Sequence, residues 1–487
     1  SEVCENRHRV KIAIFSQAHN KFISLSSTSP AVDQYLPTIV RRPQSFNQKP
    51  LSRKDFMSGS PSPASLTDAH TRAWGVDPTW IVSAPGTLAW LGEYVAPIGG
   101  TTIAQTIEPS VQVAISLTTT TPQGNHDQLN TSQNGMSFGI HSAGPYPIAD
   151  ADDVVRTVLD TVAHQQSGLR RSTLLYVTVM SSIPPREGFG EHAAATAAIT
   201  MALATALSGK DDPPCPPTLA TLTAKALRQS AHAPTSWWRP SVIFRSQPGT
   251  LTHLTQFDDA VTALPFTDER EPLHPVMLSA TPTDEDLDHI QAWTSKAQRN
   301  DAFLWRACST FGVETLRDLP SAPQRVLEWL DISRRDTTAD EQQPDYPSVL
   351  ETRQWLQLCG RDSSRARHAA MDVKSRRTTR VASMLTTSGH ELIELGSAAT
   401  PTQQRILRAI ATPPAPGVIA EIPAQRIFSA RPIPTASTSV LALVKPEQGG
   451  AQPKVGDKMQ SDGPRNCGIT VTELSFAKPA HIQPPYM

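Results

Sequence analysis

The sequence predicts an α+β chain, long enough at 487 residues for one two-lobed domain with extended N- and C-terminal tails. Three observations predict it. Alternating β-branched runs fill 80–119 and recur at 172–184. An Ala-rich run and a long, mostly helical section (284–410) follow. Both ends are polar and Pro-rich, in a chain with 43 Pro, well above the usual ~5%.

Residues 1–78 hold ten Lys/Arg against six Asp/Glu, with clusters at Arg41-Arg42 and Arg53-Lys54, and no sustained periodicity beyond a strand expected at Val10–Phe15. They read as an extension that cannot bury a core alone. From Trp80, WIVSAPGTLAWLGEY predicts a short strand, a Pro-Gly turn and further apolar residues; TTIAQTIEPSVQVAISLTT predicts strands. Asp152–His164 predicts a helix with an acidic first turn. A strand follows in STLLYVTVMSSIP, then an Ala-rich helix over 191–208 stopped by Gly209, and a helix over 218–230. Strands are expected at SVIFRS, TLTHLTQF and STSVLALV (437–444), and the last residues are a Pro/Gly-rich second extension.

Lys+Arg (44) and Asp+Glu (45) nearly cancel, which removes the electrostatic case for a nucleic-acid-coating protein but leaves room for a local basic patch. No stretch approaches the ~18 apolar residues that cross a bilayer, so a helical membrane protein is excluded. The five Cys are far apart, with no ligand spacing for zinc; no metal site is expected.

Four segments, in order, carry a resemblance. DPTWIVSAPGTLAWLGEYVAPIGG resembles, without a gap, the APGR…GEHxDYNGG motif of galactokinases in the GHMP small-molecule kinase superfamily, with Ala84, Pro85, Gly86, Gly92, Glu93, Gly99 and Gly100 in place. SSIPPREGFGEHAAATAAI is similar to the superfamily phosphate loop PxGxGLSSSAA and its helix, and RARHAAMDV and STSVLALVKPE resemble two later galactokinase segments. The resemblance covers about 70–446. It implies a GHMP-kinase-like N-terminal lobe over 79–272 and C-terminal lobe over 273–446, between extensions 1–78 and 447–487.

The resemblance also implies where Mg-ATP and a sugar would sit, and there the sequence departs. In the phosphate loop (Pro184, Arg186, Gly188, Gly190, Glu191, His192), Arg186 replaces a glycine, and Gly190, Glu191 and His192 replace the serine run. Glu191 sets a carboxylate beside the phosphates, repelling by ~4 kcal/mol at 4 Å and effective dielectric 20; His192 is a poor Mg²⁺ ligand. The sugar-binding EHxD becomes Glu93, Tyr94, Val95 and Ala96, and Thr87 replaces the Arg of APGR. The catalytic aspartate falls at Arg239 in PTSWWRPSVIF, where Trp237 and Trp238 add bulk; a guanidinium cannot act as base. Asp258 and Asp259 are alternative acids in a turn. The last glycine-rich loop becomes SARPIPTA (429–436), with Pro432 and Pro434.

The expectation is therefore a catalytically inactive galactokinase-like pseudoenzyme: no catalytic residues, no cofactor, an Arg186–Glu191 pair closing the phosphate site, and vestigial substrate residues at Glu93, Tyr94 and Ala96. The tails are expected to take protein partners in extended form, through Phe46, Phe56, Phe476 and Tyr486, with RNA a further partner for Arg41, Arg42, Arg53 and Lys54, and no membrane. A subunit of a larger assembly such as a mitochondrial ribosome fits, with a cytoplasmic location as the alternative. The alternative function is an active ATP-dependent galactokinase or related small-molecule kinase.

Overall fold

The computed structural model describes residues 63–118, 129–132, 136–148, 150–163, 173–208, 214–229, 237–266, 272–336, 346–396, 398–411, 427–436, 438–445 and 469–483. The tail residues Arg41, Arg42, Phe46, Arg53, Lys54, Phe56 and Tyr486 lie outside these.

In chain order the first part runs α1 (Pro63–Trp74), β1 (Trp80–Leu91), β2 (Thr101–Thr118), β3 (Asn130–Thr131), β4 (Ser137–Ala143), α2 (Ala151–Ala163), β5 (Leu174–Ser181), α3 (Glu191–Ser208), α4 (Pro216–Gln229), α5 (Arg239–Arg245), β6 (Thr250–Thr255) and β7 (Ala260–Pro265). The second runs β8 (His274–Ser279), α6 (Asp284–Phe311), α7 (Ala322–Asp336), α8 (Val349–Lys374), α9 (Thr378–Gly396), α10 (Pro401–Ala411), β9 (Ile427–Pro432) and β10 (Val440–Val444), closed by β11 (Thr470–Glu473) and β12 (His481–Gln483).

The strands form two sheets. The larger has order β12-β1-β2-β5-β4-β3, with β6 on β2 and β7 on β6; β4 and β5 are parallel and the other pairs antiparallel. β2 is long enough to serve two partners: 111–118 pair with β5 and 101–104 with β6. The Pro85-Gly86 step, expected as a turn, is a β-bulge inside one continuous strand. The smaller sheet is antiparallel, β11-β8-β10-β9.

α3 lies against β1 and β2, buried through Ala193, Ala194, Ala197, Ala198 and Ala202. Small side chains let the helix approach the sheet closely, and a helix apolar on every side belongs inside. The core it anchors continues through Ala366, Ala369, Val373, Val381 and Leu385 of α8 and α9 to Leu441 and Leu443 of β10, so both sheets share one apolar interior. A second, aromatic-rich core holds α6, α7 and α8 together around Trp293, Phe303, Leu304 and Trp355.

Three elements differ from expectation. SVIFRS falls in helix α5, not a strand: Pro240 is in the first turn of the helix, and Val242, Ile243 and Phe244 are buried in succession, which suits a helix enclosed on several sides. The first extension contributes α1, whose His70 bonds Thr178 and Ser116 while Trp74 Nε1 donates to Thr178 Oγ1, fixing it to β2 and β5. The second extension folds back, adding β11 to one sheet and β12 to the other. Phe476, expected to anchor a partner, bridges Ile107 and packs on the chain's own core.

Candidate functional site

Four segments meet between the sheets: the end of β1 with residues 92–96, the loop 184–190 before α3, the start of α5, and the turn 433–439 between β9 and β10. Each brings a residue singled out in the sequence. The loop turns through positive φ at Arg186 (64°), Gly188 (77°) and Gly190 (72°). Arg186 thus holds a left-handed backbone, in the region where a side chain costs ~1 kcal/mol or more. It is exposed, and among the described residues it forms no ion pair with Glu191, contrary to expectation.

The arginine that closes the loop is Arg239. Its Nη1 donates to the Thr87 carbonyl (2.7 Å) and Oγ1 (2.8 Å), and its Nη2 donates to the Gly188 carbonyl (2.9 Å). The same Nη2 is 3.7 Å from Glu93 Oε1, with both side chains at most 4% exposed. The guanidinium stacks on the Trp238 ring at 4.6 Å. A Cβ at Gly190 would lie 2.5 Å from Arg239 Nη1, so glycine is what admits this side chain to the loop. Thr87 and Arg239, expected from separate motifs at the stations of the family's arginine and aspartate, are in direct contact.

The two loops that should flank a substrate also touch. Glu187 bridges Ala436 and accepts a hydrogen bond from Ser439 Oγ. Thr435 Oγ1 donates to Glu93 at 3.4 Å, and a Cβ at Gly188 would meet Ile433 and Thr435 at 2.8 Å. Gln403 Nε2 holds the turn from behind, 2.8–3.1 Å from the carbonyls of Ile433, Ala436 and Ser439.

A second buried pair backs the first. Asp362 of α8 accepts from the Gly92 N–H (2.6 Å) and from Ser388 Oγ (2.7 Å). Arg431 donates through Nε to Ser388 Oγ (3.1 Å) and is 3.8 Å from Asp362 through Nη2. Burial pushes the Glu93 carboxyl above its ordinary range; Arg239 and Arg431 pull it back. Glu187, Asp362, Ser388, Gln403 and Arg431 were not singled out. An arginine inside the segment replacing a glycine-rich loop, and an aspartate among apolar helix positions, were the available signals.

The other expected residues scatter. Tyr94 turns into the aromatic core, its ring 5.9 Å from Trp293 and 5.1 Å from Trp355, and accepts from Trp293 Nε1 (3.0 Å). Ala96 is buried. Trp238 is buried against Ala89, Ala104, Val242 and Leu254; Trp237 donates to Asp301 of α6 at 2.8 Å. Glu191 is in the first turn of α3, where burial pushes its carboxyl up to about 7 and Ser181 only partly offsets it. His192 is half-buried beside it. Asp258 and Asp259 are exposed on the β6–β7 turn, and Asp259 pairs with Arg245.

These residues do not fit a magnesium nucleotide. Arg239 and the 433–436 turn lie against the loop glycines, and Glu191 presents a carboxyl at the helix start. Among the described residues no cluster of three His, Cys, Asp or Glu could hold a metal ion.

No protein-family model and no curated protein matches the chain. Among solved structures, it is similar to a Lactococcus lactis galactokinase complexed with galactose, at 12% identity over 86% of this chain and 99% of that one, with a TM-score of 0.55. A mevalonate pyrophosphate decarboxylase from Streptococcus pyogenes (12% identity, 82% and 98% covered, TM-score 0.47) and an L. major mevalonate kinase in complex with R-mevalonate (10%, 76% and 89%, TM-score 0.42) also match. At such identity the likeness is one of fold, and the chain has the two-lobed fold of the GHMP kinases in a galactokinase-like form.

Proposed function

We propose that this chain is a catalytically inactive, galactokinase-like protein serving as a structural or interaction subunit of a larger assembly, a mitochondrial ribosome being the assembly of first choice. The observation that carries the reading is Arg239. The resemblance sets it at the family's catalytic aspartate, and its contacts with Thr87, Gly188 and Glu93 join the 184–190 loop to β1 and the residues after it. A base at pH 7 cannot be a buried, ion-paired guanidinium. The direct contact of the 184–190 and 433–439 segments supports the same reading, because phosphoryl transfer requires both nucleotide and acceptor to be positioned between such loops. The polar first extension supports a partner-bound role, since such composition gains order on a neighbouring surface.

Calorimetric titration with Mg-ATP, with and without galactose, tests the first half. We expect no saturable heat at micromolar concentrations; micromolar affinity or galactose-dependent ATP consumption overturns the inactive reading. Sedimentation of the native protein tests the second half. Migration with a large ribonucleoprotein particle is expected, and a free monomer refutes the subunit role.

A further inference from the structure

Far along α8 from Asp362, the chain turns a corner into α9, and the corner is strongly basic. Arg367, Lys374, Arg376, Arg377 and Arg380 fall within fourteen residues, with Asp372 the one carboxylate among them, in a chain whose net charge is -1. All five cations are exposed, whereas Asp372 is buried and 3.9 Å from Arg377. Arg367, Met371 and Lys374 share one face of α8, and Met371 is 56% exposed. Arg377 precedes α9 and Arg380 is in its first turn, which holds no acid to offset the positive end of the helix dipole. His368, Met371, Asp372, Arg377 and Arg380 line a surface cavity of about 480 Å³, in which Arg377 faces Asp372 and Arg380 adds a second cation.

We propose that this corner binds the phosphate backbone of RNA. Four of the five cations are arginines, whose planar forks match phosphate oxygens in a bidentate way. Arg367 and Lys374 are about 10 Å apart along the helix axis. That span exceeds one phosphate group and suits successive phosphates of a strand. Met371 and His368 between them offer a thioether and a flat ring to a ribose or base. Lys374 is about 18 Å along the axis from Asp362. The inference therefore does not depend on whether the cleft is inactive.

The test uses the full chain and a fluorescein-labelled 20-nucleotide single-stranded RNA, followed by anisotropy in 50–200 mM KCl. The triple variant Arg367→Ala/Lys374→Ala/Arg380→Ala is expected to bind at least tenfold more weakly. Its slope of log K against log salt is expected to be lower by about 2, from three phosphate contacts at ~0.7 each. Its melting temperature should not move, because the three side chains are exposed. Wild type failing to bind at 50 mM KCl, or a triple variant with unchanged affinity and slope, overturns the proposal. So does loss confined to an Arg41/Arg42/Arg53/Lys54→Ala variant, which places binding in the first extension. Competition by polyglutamate as effective as unlabelled RNA at equal charge also overturns it, in favour of an acidic protein. Mg-ATP titration of the same preparations reads the cleft separately.

Discussion

Removing Arg239 should convert a buried ion pair into a buried, unpaired charge. Arg239→Ala deletes three hydrogen bonds of 2.7–2.9 Å, to two carbonyls and a hydroxyl, and the counter-ion of Glu93, which is 3% exposed. Breaking such a pair from one side costs about 3–5 kcal/mol, most of it the desolvated charge left behind. At ~2 cal/mol/K per residue of unfolding entropy, ~4 kcal/mol is a fall of roughly 5 °C in Tm for a body of this size. Glu93→Gln removes the orphaned charge, so Arg239→Ala in a Glu93→Gln background should cost at least ~2 kcal/mol less than alone. Without Arg239 the carboxyl is raised further. A raised carboxyl stabilises the folded state less as pH climbs above its unfolded value, so the single variant should lose more at pH 8 than at pH 5. Scanning fluorimetry and urea titration of the four proteins at both pH values read these quantities. A Tm change under 1 °C, or a cost unaltered by Glu93→Gln, would refute the account of Arg239 as the closure of the site.

Other expectations follow from single groups. Glu191, raised to about 7 by burial, makes the folded state bind its proton more tightly than the unfolded one, so its contribution falls as pH rises from about 4.5 to 7. Glu191→Gln should therefore raise stability at pH 8 by ~1–2 kcal/mol, after discounting for partial solvent screening, and change little at pH 4 in a pH-resolved melt. Asp286 accepts four hydrogen bonds of 2.7–2.9 Å from Thr283 and Thr402, at the starts of α6 and α10. Burial pushes its carboxyl up, but those bonds outweigh it and hold it below the usual range. Its stabilisation is present above the unfolded value and lost as pH falls through the folded one. Asp286→Ala should cost about 2–4 kcal/mol at pH 7 and less at pH 3 by urea unfolding. Arg186→Gly should relieve ~1 kcal/mol or more of left-handed strain, offset in part by the greater freedom of glycine in the unfolded chain, and so leave Tm unchanged or raise it; a clear fall would show that the Arg186 side chain holds the loop.

The sequence was most legible where local pattern and burial agree. The Ala-rich helix was expected over 191–208 and spans Glu191–Ser208, because a run so rich in alanine is both a strong helix former and small enough to be buried. The four galactokinase-like segments place the fold for a similar reason: their glycines and apolar residues shape backbone and core. The site was legible only as a set of losses. That Thr87, Glu93 and Arg239 form one network depends on bringing residues 87 and 239 within hydrogen-bond distance, which no local pattern encodes. The Arg186–Glu191 expectation failed because sequence proximity says nothing of direction: at φ 64° Arg186 remains on the surface, while Glu191 is half-buried with its carboxyl bonded by Ser181. SVIFRS failed because an apolar run of three residues, Val242–Phe244, has no period of its own.

The second extension gives the last prediction. It was expected to take protein partners in extended form, yet 469–483 joins the two sheets of the chain itself. β11 pairs Thr470–Glu473 with Val276–Ser279, and β12 pairs His481–Gln483 with Ile81–Ser83. Between them, Ala477 exchanges hydrogen bonds with Thr106, and the Ala480 N–H donates to the Ile243 carbonyl (2.8 Å). Leu474 is buried and Phe476 half-buried against the shared core. Burying two such side chains contributes about 3 kcal/mol after discounting Phe476, and both edge strands lose their partners when the segment goes. Deleting 469–487 should therefore lower Tm by several degrees and promote association through the bared edges of β1 and β8, read by light scattering. A truncated chain that melts like the full one would mean the strap adds nothing to the body. If it does stabilise the body, the same strap resists separation of the two sheets. A kinase that must admit nucleotide and acceptor between its lobes gains nothing from such a tie, whereas a rigid structural subunit does.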